Sequence, residues 1–432
     1  MRKTTSRKWK LVVGVTGVAL VAAACGSGTT PNTGASGTEK ITLTVATFNE
    51  FGYENLLAEY TKLHPNIKVV QKKAATSNEA RDNMNTRLAA GSGLSDVEAI
   101  EVDWLPELMQ YPNKFADLKD KSVDGRWLDW KVAQATTKGG VLIGYGTDIG
   151  PEGVCYRSDL FKAAGLPTDR AEVAKLLGGA NATWDDYFAA GKKFSAAGTK
   201  TPWMDSAGAT YQGMINQVKN AYEKDDGTVV AADNPAVRKI YDTVLGASTT
   251  DGLSAHLAQW GPDWTASFQK KGFATMLCPG WMLGVIEGNA KGVTGWDVAD
   301  VFPGGGGNWG GSFLTIPAQG KHPAEAKALA SWLTAPEQQI KAFVAKGTFP
   351  SQQQALTSKD LLSVTKPFFN NAPTGQILAN RANAVTVAPF KGKNYFAIND
   401  AMQQALTRVD VDKTDNAASS WAKFLTAVKS LG

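Results

Sequence analysis

The chain has 432 residues, with 45 Lys+Arg against 40 Asp+Glu and a formal net charge of +5. Arg2, Lys3, Arg7, Lys8 and Lys10 all fall in residues 1–24, a stretch with no Asp or Glu, so the rest of the chain holds 40 charges of each sign and is neutral. That removes the compositional hint of a nucleic-acid partner. The 43% hydrophobic content over this length excludes wholesale disorder and favours two domains.

Residues 1–24 read as a signal peptide: a basic start, then an apolar run from Leu11 to Ala24 broken by Gly14, Thr16 and Gly17. LVAAAC, Leu20 to Cys25, resembles a bacterial lipobox, which implies that Cys25 is lipidated and becomes the mature N-terminus. An ordinary signal peptide or an uncleaved anchor is the alternative. Residues 25–40 are a Gly/Ser/Thr-rich linker with nothing to bury.

ITLTVAT, from Ile41, alternates and is β-branched, a strand. ENLLAEYTKL places Leu56, Leu57, Tyr60 and Leu63 on one helical face, and NIKVVQ is a second strand. A helix from about Asn78 to Ala90 ends at GSGLS, and VEAIEV is a third strand. Strand, helix, strand, helix, strand with short loops predicts a parallel α/β start. Ligands of such sheets sit beyond the carboxyl ends of the strands. Asn49 and Glu50 follow strand one, and Asp103 and Trp104 follow strand three, which makes them site candidates by topology.

GTDIGPEGVCYR, beginning at Gly146, breaks an apolar run with glycines and a proline and then resumes as a strand, as a crossing between lobes would. FPGGGGNWGGSFLTIP, Phe302 to Pro317, is a second such punctuation. Helices are expected around WDDYFAAGKKF, PAVRKIYDTVL, the pair from Ala324 to Lys346, and from about Asn394 onward. With Cys25 set aside, Cys155 and Cys278 form an even pair in an oxidising compartment; a disulfide is expected, two buried free thiols being the alternative. His64, His256 and His322 are scattered, so neither a metal site nor a Ser/His/Asp hydrolase site has support. No cofactor motif is present: the glycine run lacks the following Lys of a phosphate loop.

The lipobox, the α/β start, the segment Gly150 to Pro167, TWDDYFAAGKKF, CPGW at Cys278 to Trp281, and KGTFPS at Lys346 to Ser351 together resemble extracellular solute-binding proteins of carbohydrate ABC importers. FNEFGYENLLAEYTKLHPNIKV and VDWLPELMQYPNKFADL are most similar to the cellobiose and cello-oligosaccharide-binding lipoproteins of actinomycetes. The resemblance implies an α/β, two-lobed periplasmic-binding-protein-like fold with a hinge crossed several times and a ligand cleft between lobes. Lobe 1 would hold residues 41–149 and 312–370, and lobe 2 residues 150–311 and 371–432. It further implies a monomer with no enzymatic activity, lipid-anchored on the extracellular face of the cell membrane. Such a protein hands an oligosaccharide to ABC permease subunits whose ATPase is a separate chain.

A sugar needs aromatic platforms for its C–H faces and Asp, Glu, Asn or Arg for its hydroxyls. Of 13 tryptophans, Trp281 after Pro279-Gly280, Trp309 within the glycine run and Trp104 beside Asp103 lead as platforms, followed by Trp260 and Trp264. Trp127, Trp130, Trp184, Trp332 and Trp421 sit in helical settings and read as core. Asn49, Glu50, Asp103, Asp148 and Arg81 are the polar candidates. Rival readings are a binder of chitobiose, maltodextrin or peptide, or a lipid-anchored glycoside hydrolase, whose carboxylate pair any acid-rich sequence can supply.

Overall fold

A computed structural model describes residues Glu39–Leu431. The signal segment, Cys25 and nearly all of the linker lie outside the described residues.

The first lobe is built on a five-stranded sheet. Its strands are β1 (Ile41–Phe48), β2 (Ile67–Ala74), β3 (Val97–Glu101), β4 (Tyr145–Gly146) and β9 (Ser312–Thr315), in the order β2-β1-β3-β9-β4. β1 pairs parallel with β2 and β3, whereas β9 runs antiparallel to β3 and β4. The alternation of β1 buries Leu43 and Val45, on which helix Glu54–Leu63 lays Leu56, Leu57 and Tyr60. Leu63, expected on that face, is exposed, as the last residue of the helix. Thr76 caps the second helix, Ser77–Ala90, by accepting the Glu79 amide, and Gly91 closes it in the left-handed conformation.

The second lobe carries the three-stranded sheet β7 (Thr275–Pro279), β6 (Glu152–Arg157) and β8 (Trp296–Ala299), all antiparallel, with a core on each face. On one face Val154 and Tyr156 meet Tyr187, Trp203, Tyr211 and the C-terminal helices through Met402 and Phe424. On the other, Cys155 and Cys278 are disulfide-bonded, 123 residues apart in sequence, among Trp264, Phe268 and Trp296.

The chain passes between the lobes three times. The first pass runs through β5 (Asp148–Ile149), the second from residue 300 to β9, and the third through β10 (Phe349–Pro350), which pairs antiparallel with β5. Leu361 and Phe369 lie beyond this third pass, in the core of Cys155 and Trp296. Both fall before the boundary expected at residue 370, yet they pack with side chains of the second-lobe sheet.

Candidate functional site

A cavity of about 430 Å³ lies between the lobes, within the size range of small-molecule sites. One wall is aromatic. Trp281 follows β7 after Gly280 and stands at the start of helix Met282–Asn289. Its ring lies 6.0 Å from Trp260 at an interplanar angle of 26°, and 5.5 Å from Trp309 nearly edge-on at 84°. The Trp281 indole Nε1 donates to the Trp309 carbonyl (2.9 Å), and the Trp309 amide donates to the Gly150 carbonyl (2.8 Å). Trp281 and Trp309 are thereby tied to the first and second crossings at once, and Trp260 stacks on Trp281. Gly310 and Gly311, at φ 77° and 112°, turn the chain out of this wall into β9, a path that a side chain at either position would strain. Trp260 itself has φ 71° and remains 39% exposed at the mouth.

The opposite wall comes from the carboxyl ends of β1 and β3. Asn49, in the left-handed region at φ 46°, turns the chain after β1, a conformation asparagine tolerates better than most residues. Glu50 pairs with Lys73 and with Lys346 (3.0 Å); burial pulls its carboxyl upward, but the two ammonium groups win and hold it below the usual carboxylate range. Asp103 pairs with Lys391, which arrives from the second lobe. Glu101 accepts the Asp103 amide (2.8 Å), and burial, reinforced by the Asp103 charge, pushes it up to about 8. Asp148 accepts from the Thr147 hydroxyl (2.7 Å) and the Ser312 amide (2.9 Å), tying the first crossing to the second; burial raises its carboxyl.

The third side is a polar helix face. Helix Tyr395–Asp410 turns Phe396, the adjacent Asn399 and Asp400, Gln403, Thr407 and Asp410 to the cavity, one turn apart along about 21 Å. Helix Ala207–Ile215 adds Gln212. These amides are prealigned: the Tyr222 hydroxyl donates to Asn399 Oδ1 (3.0 Å), and Asn399 Nδ2 donates to Gln212 Oε1 (3.1 Å). Gln403 Nε2 donates to the Gly208 carbonyl (3.2 Å). Asp410 accepts the Ala207 amide (2.8 Å), contacts His256 Nδ1 (2.7 Å) and accepts from Ser248 and Ser254. Fixing side chains in this way removes the entropy cost of ordering them around a ligand.

Seven of the ten residues expected in the site line this cavity: Asn49, Glu50, Asp103, Asp148, Trp260, Trp281 and Trp309. Three do not. Trp104 is fully buried in the first-lobe core and donates its indole N–H to Ser77 Oγ (2.9 Å), so it supports the cavity floor from behind. Trp264 is buried under Trp260, its indole held by Asp205 (3.0 Å). Arg81 pairs through two hydrogen bonds with Glu107 and lies 4.1 Å from the centroid of Phe396, so it braces a lining residue without lining the cavity itself. The polar helix face, with Gln212, was not foreseen, since a stripe of polar residues on a C-terminal helix reads as a solvated surface.

A two-lobed α/β scaffold with several passes between lobes and one polar-aromatic cavity at the junction defines a solute-binding protein. The family model for bacterial extracellular solute-binding proteins matches residues 55–368, and the chain belongs to that family. A crystal structure of a family 1 extracellular solute-binding protein is 49% identical, with TM-score 0.79, over 90% of this chain and 99% of that one. The ABC transporter-associated binding protein of B. animalis subsp. lactis Bl-04, in complex with β-1,6-galactobiose, is 20% identical (TM-score 0.77; 90% and 97% covered). A maltose-bound protein of T. maritima is 18% identical (TM-score 0.69; 90% and 100% covered). Comparison with curated proteins gives no match.

Proposed function

We propose that the chain captures an oligosaccharide, with cellobiose or cellotriose the first choice, and delivers it to the permease of an ABC importer. The observation that carries this reading is the pairing across one cavity of an aromatic wall (Trp260, Trp281, Trp309) with prealigned amides (Gln212, Asn399, Gln403). Stacked rings suit the C–H faces of a pyranose, and amides that both donate and accept suit its hydroxyls. The fold neighbours bound to β-1,6-galactobiose and to maltose support a sugar but differ in linkage, so the β-1,4 assignment rests on the sequence resemblance. Under this proposal the protein works as a monomer, tethered through lipid on Cys25 at the outer face of the membrane, and closes its lobes over the sugar.

A thermal-shift panel of cello-, chito- and malto-oligosaccharides tests the assignment. Stabilisation by cellobiose or cellotriose at micromolar concentration, with no sugar cleaved, is the expected result. A shift confined to chito- or malto-oligosaccharides would reassign the ligand. Release of glucose from cellotriose would replace a binding protein with a hydrolase.

A further inference from the structure

The cavity wall is one-signed. Its lining contains six acidic residues (Glu50, Glu101, Asp103, Asp148, Asp400 and Asp410) and, among the described residues, no Lys, Arg or His. The cations that touch these acids, Lys73, Lys346, Lys391 and His256, are not themselves lining residues. Five of the acids are occupied: Glu50 and Asp103 by ammonium groups, Glu101 by the Asp103 amide, and Asp148 and Asp410 by hydroxyl and amide donors. Asp400 differs. Its Oδ2 accepts from Gln404 Nε2 (2.7 Å), no cation among the described residues pairs with it, and it stands one residue from Asn399 on the prealigned helix face.

A ligand's anionic group entering this cavity would shed water and meet acidic side chains but no cation among the lining residues, the ammonium groups behind Glu50 and Asp103 being already paired. A protonated amine would meet the reverse. Resting on the sugar reading above, we propose that the cleft sorts sugars by charge: it takes neutral sugars and sugars bearing a protonated amine, with Asp400 as the amine's acceptor, and rejects those bearing carboxylate or phosphate.

Isothermal titration of the full chain at about pH 6.5, where an amine is mostly protonated, tests this with three β-1,4 disaccharides. The probes are cellobiose, glucosaminyl-glucosamine and glucuronyl-glucose. Cellobiose and the amino sugar are expected within about tenfold of each other, and the uronate at least about a hundredfold weaker. In Asp400→Asn the ratio of amino-sugar to cellobiose affinity should fall about tenfold, whatever happens to cellobiose itself; the cycle isolates the charge from other effects of the substitution. Uronate binding equal to cellobiose would overturn charge sorting and leave the sugar reading intact. An unchanged ratio in Asp400→Asn would remove Asp400 from the proposal. Failure of all three probes to bind would take away the cello-oligosaccharide reading and charge sorting together.

Discussion

Gly150 is the position where hinge and site are one object, and Gly150→Ala tests that. An ideal Cβ at residue 150 would lie 1.8 Å from the Trp309 carbonyl oxygen, 2.7 Å from its carbon and 3.3 Å from the Trp281 Nε1. The obstacle is backbone, so no rotamer change relieves it and the two crossings must part. Three hydrogen bonds depend on their separation: Trp309 amide to Gly150 carbonyl (2.8 Å), Gly150 amide to Asn308 Oδ1 (2.9 Å), and Trp281 Nε1 to Trp309 carbonyl (2.9 Å). At about 0.5–1.5 kcal/mol each, their weakening amounts to roughly 2–4 kcal/mol. For a folded body of this length that corresponds to a melting temperature lower by roughly 2–5 °C, from the usual unfolding entropy per residue. Gly288→Ala is the control: it lies in helix Met282–Asn289 with nothing within 4 Å of its Cβ, and should be neutral or stabilising by up to about 1 kcal/mol. Differential scanning fluorimetry with tryptophan emission reads both variants. If Gly150→Ala melts with the wild type and its emission is unchanged, Trp309 is not pinned to the first crossing and the reasoning fails.

Trp281→Ala should weaken sugar binding by about 1–3 kcal/mol, with Trp281→Phe keeping more than half of the affinity change through its ring; titration of a folded Ala variant at wild-type affinity would place Trp281 outside the contact surface. Glu101 predicts a pH dependence of stability. Its carboxyl is raised from 4.5 to about 8 by burial first and Asp103 next, so its contribution is complete below about pH 4.5 and is lost as pH rises toward 8. Glu101→Gln should therefore be progressively more stable than wild type across that window in denaturant titrations, and a difference independent of pH would refute the assignment. Serine at both Cys155 and Cys278 should cost about 2–5 kcal/mol, since the bridge closes a span of 123 residues. Equal unfolding midpoints with and without the bridge would contradict it.

What could be read from the sequence follows from what leaves a periodic trace. The alternation of Ile41–Phe48 and the 3.6-residue repeat of Glu54–Leu63 are direct images of one-sided burial, so the parallel start was legible. Trp281 and Trp309 were legible because glycine beside tryptophan marks backbone held close to a large ring. Trp104 follows a strand and Trp264 sits in QWGPDW, yet both side chains turn inward; a place along the chain fixes where a residue is, not which way its χ1 points. The polar face of helix Tyr395–Asp410 was illegible for a deeper reason. Phe396, Asn399, Gln403 and Thr407 alternate with the buried Ile398, Met402 and Ala405 in the way any surface helix would, and only the tertiary fold replaces bulk water with a cavity on that side.

The two lobes also touch away from their three covalent passes, and the nature of those contacts bears on how such a cleft could work. Lys391 and Asp103 pair across the junction at 6% and 14% side-chain exposure, while Arg81 of the first lobe lies over Phe396 of the second. Truncating one member of a pair so buried leaves a stranded charge and costs about 3–5 kcal/mol. Separating the lobes is a different operation: it admits water to both partners together, and the loss then approaches that of an exposed pair, about 0–1 kcal/mol. The same holds for Arg81, which keeps Glu107 in either arrangement because both belong to the first lobe. Contacts that are strict toward mutation and lenient toward opening suit the proposed cycle, in which the lobes part without help and close when a ligand adds its own contacts to both walls.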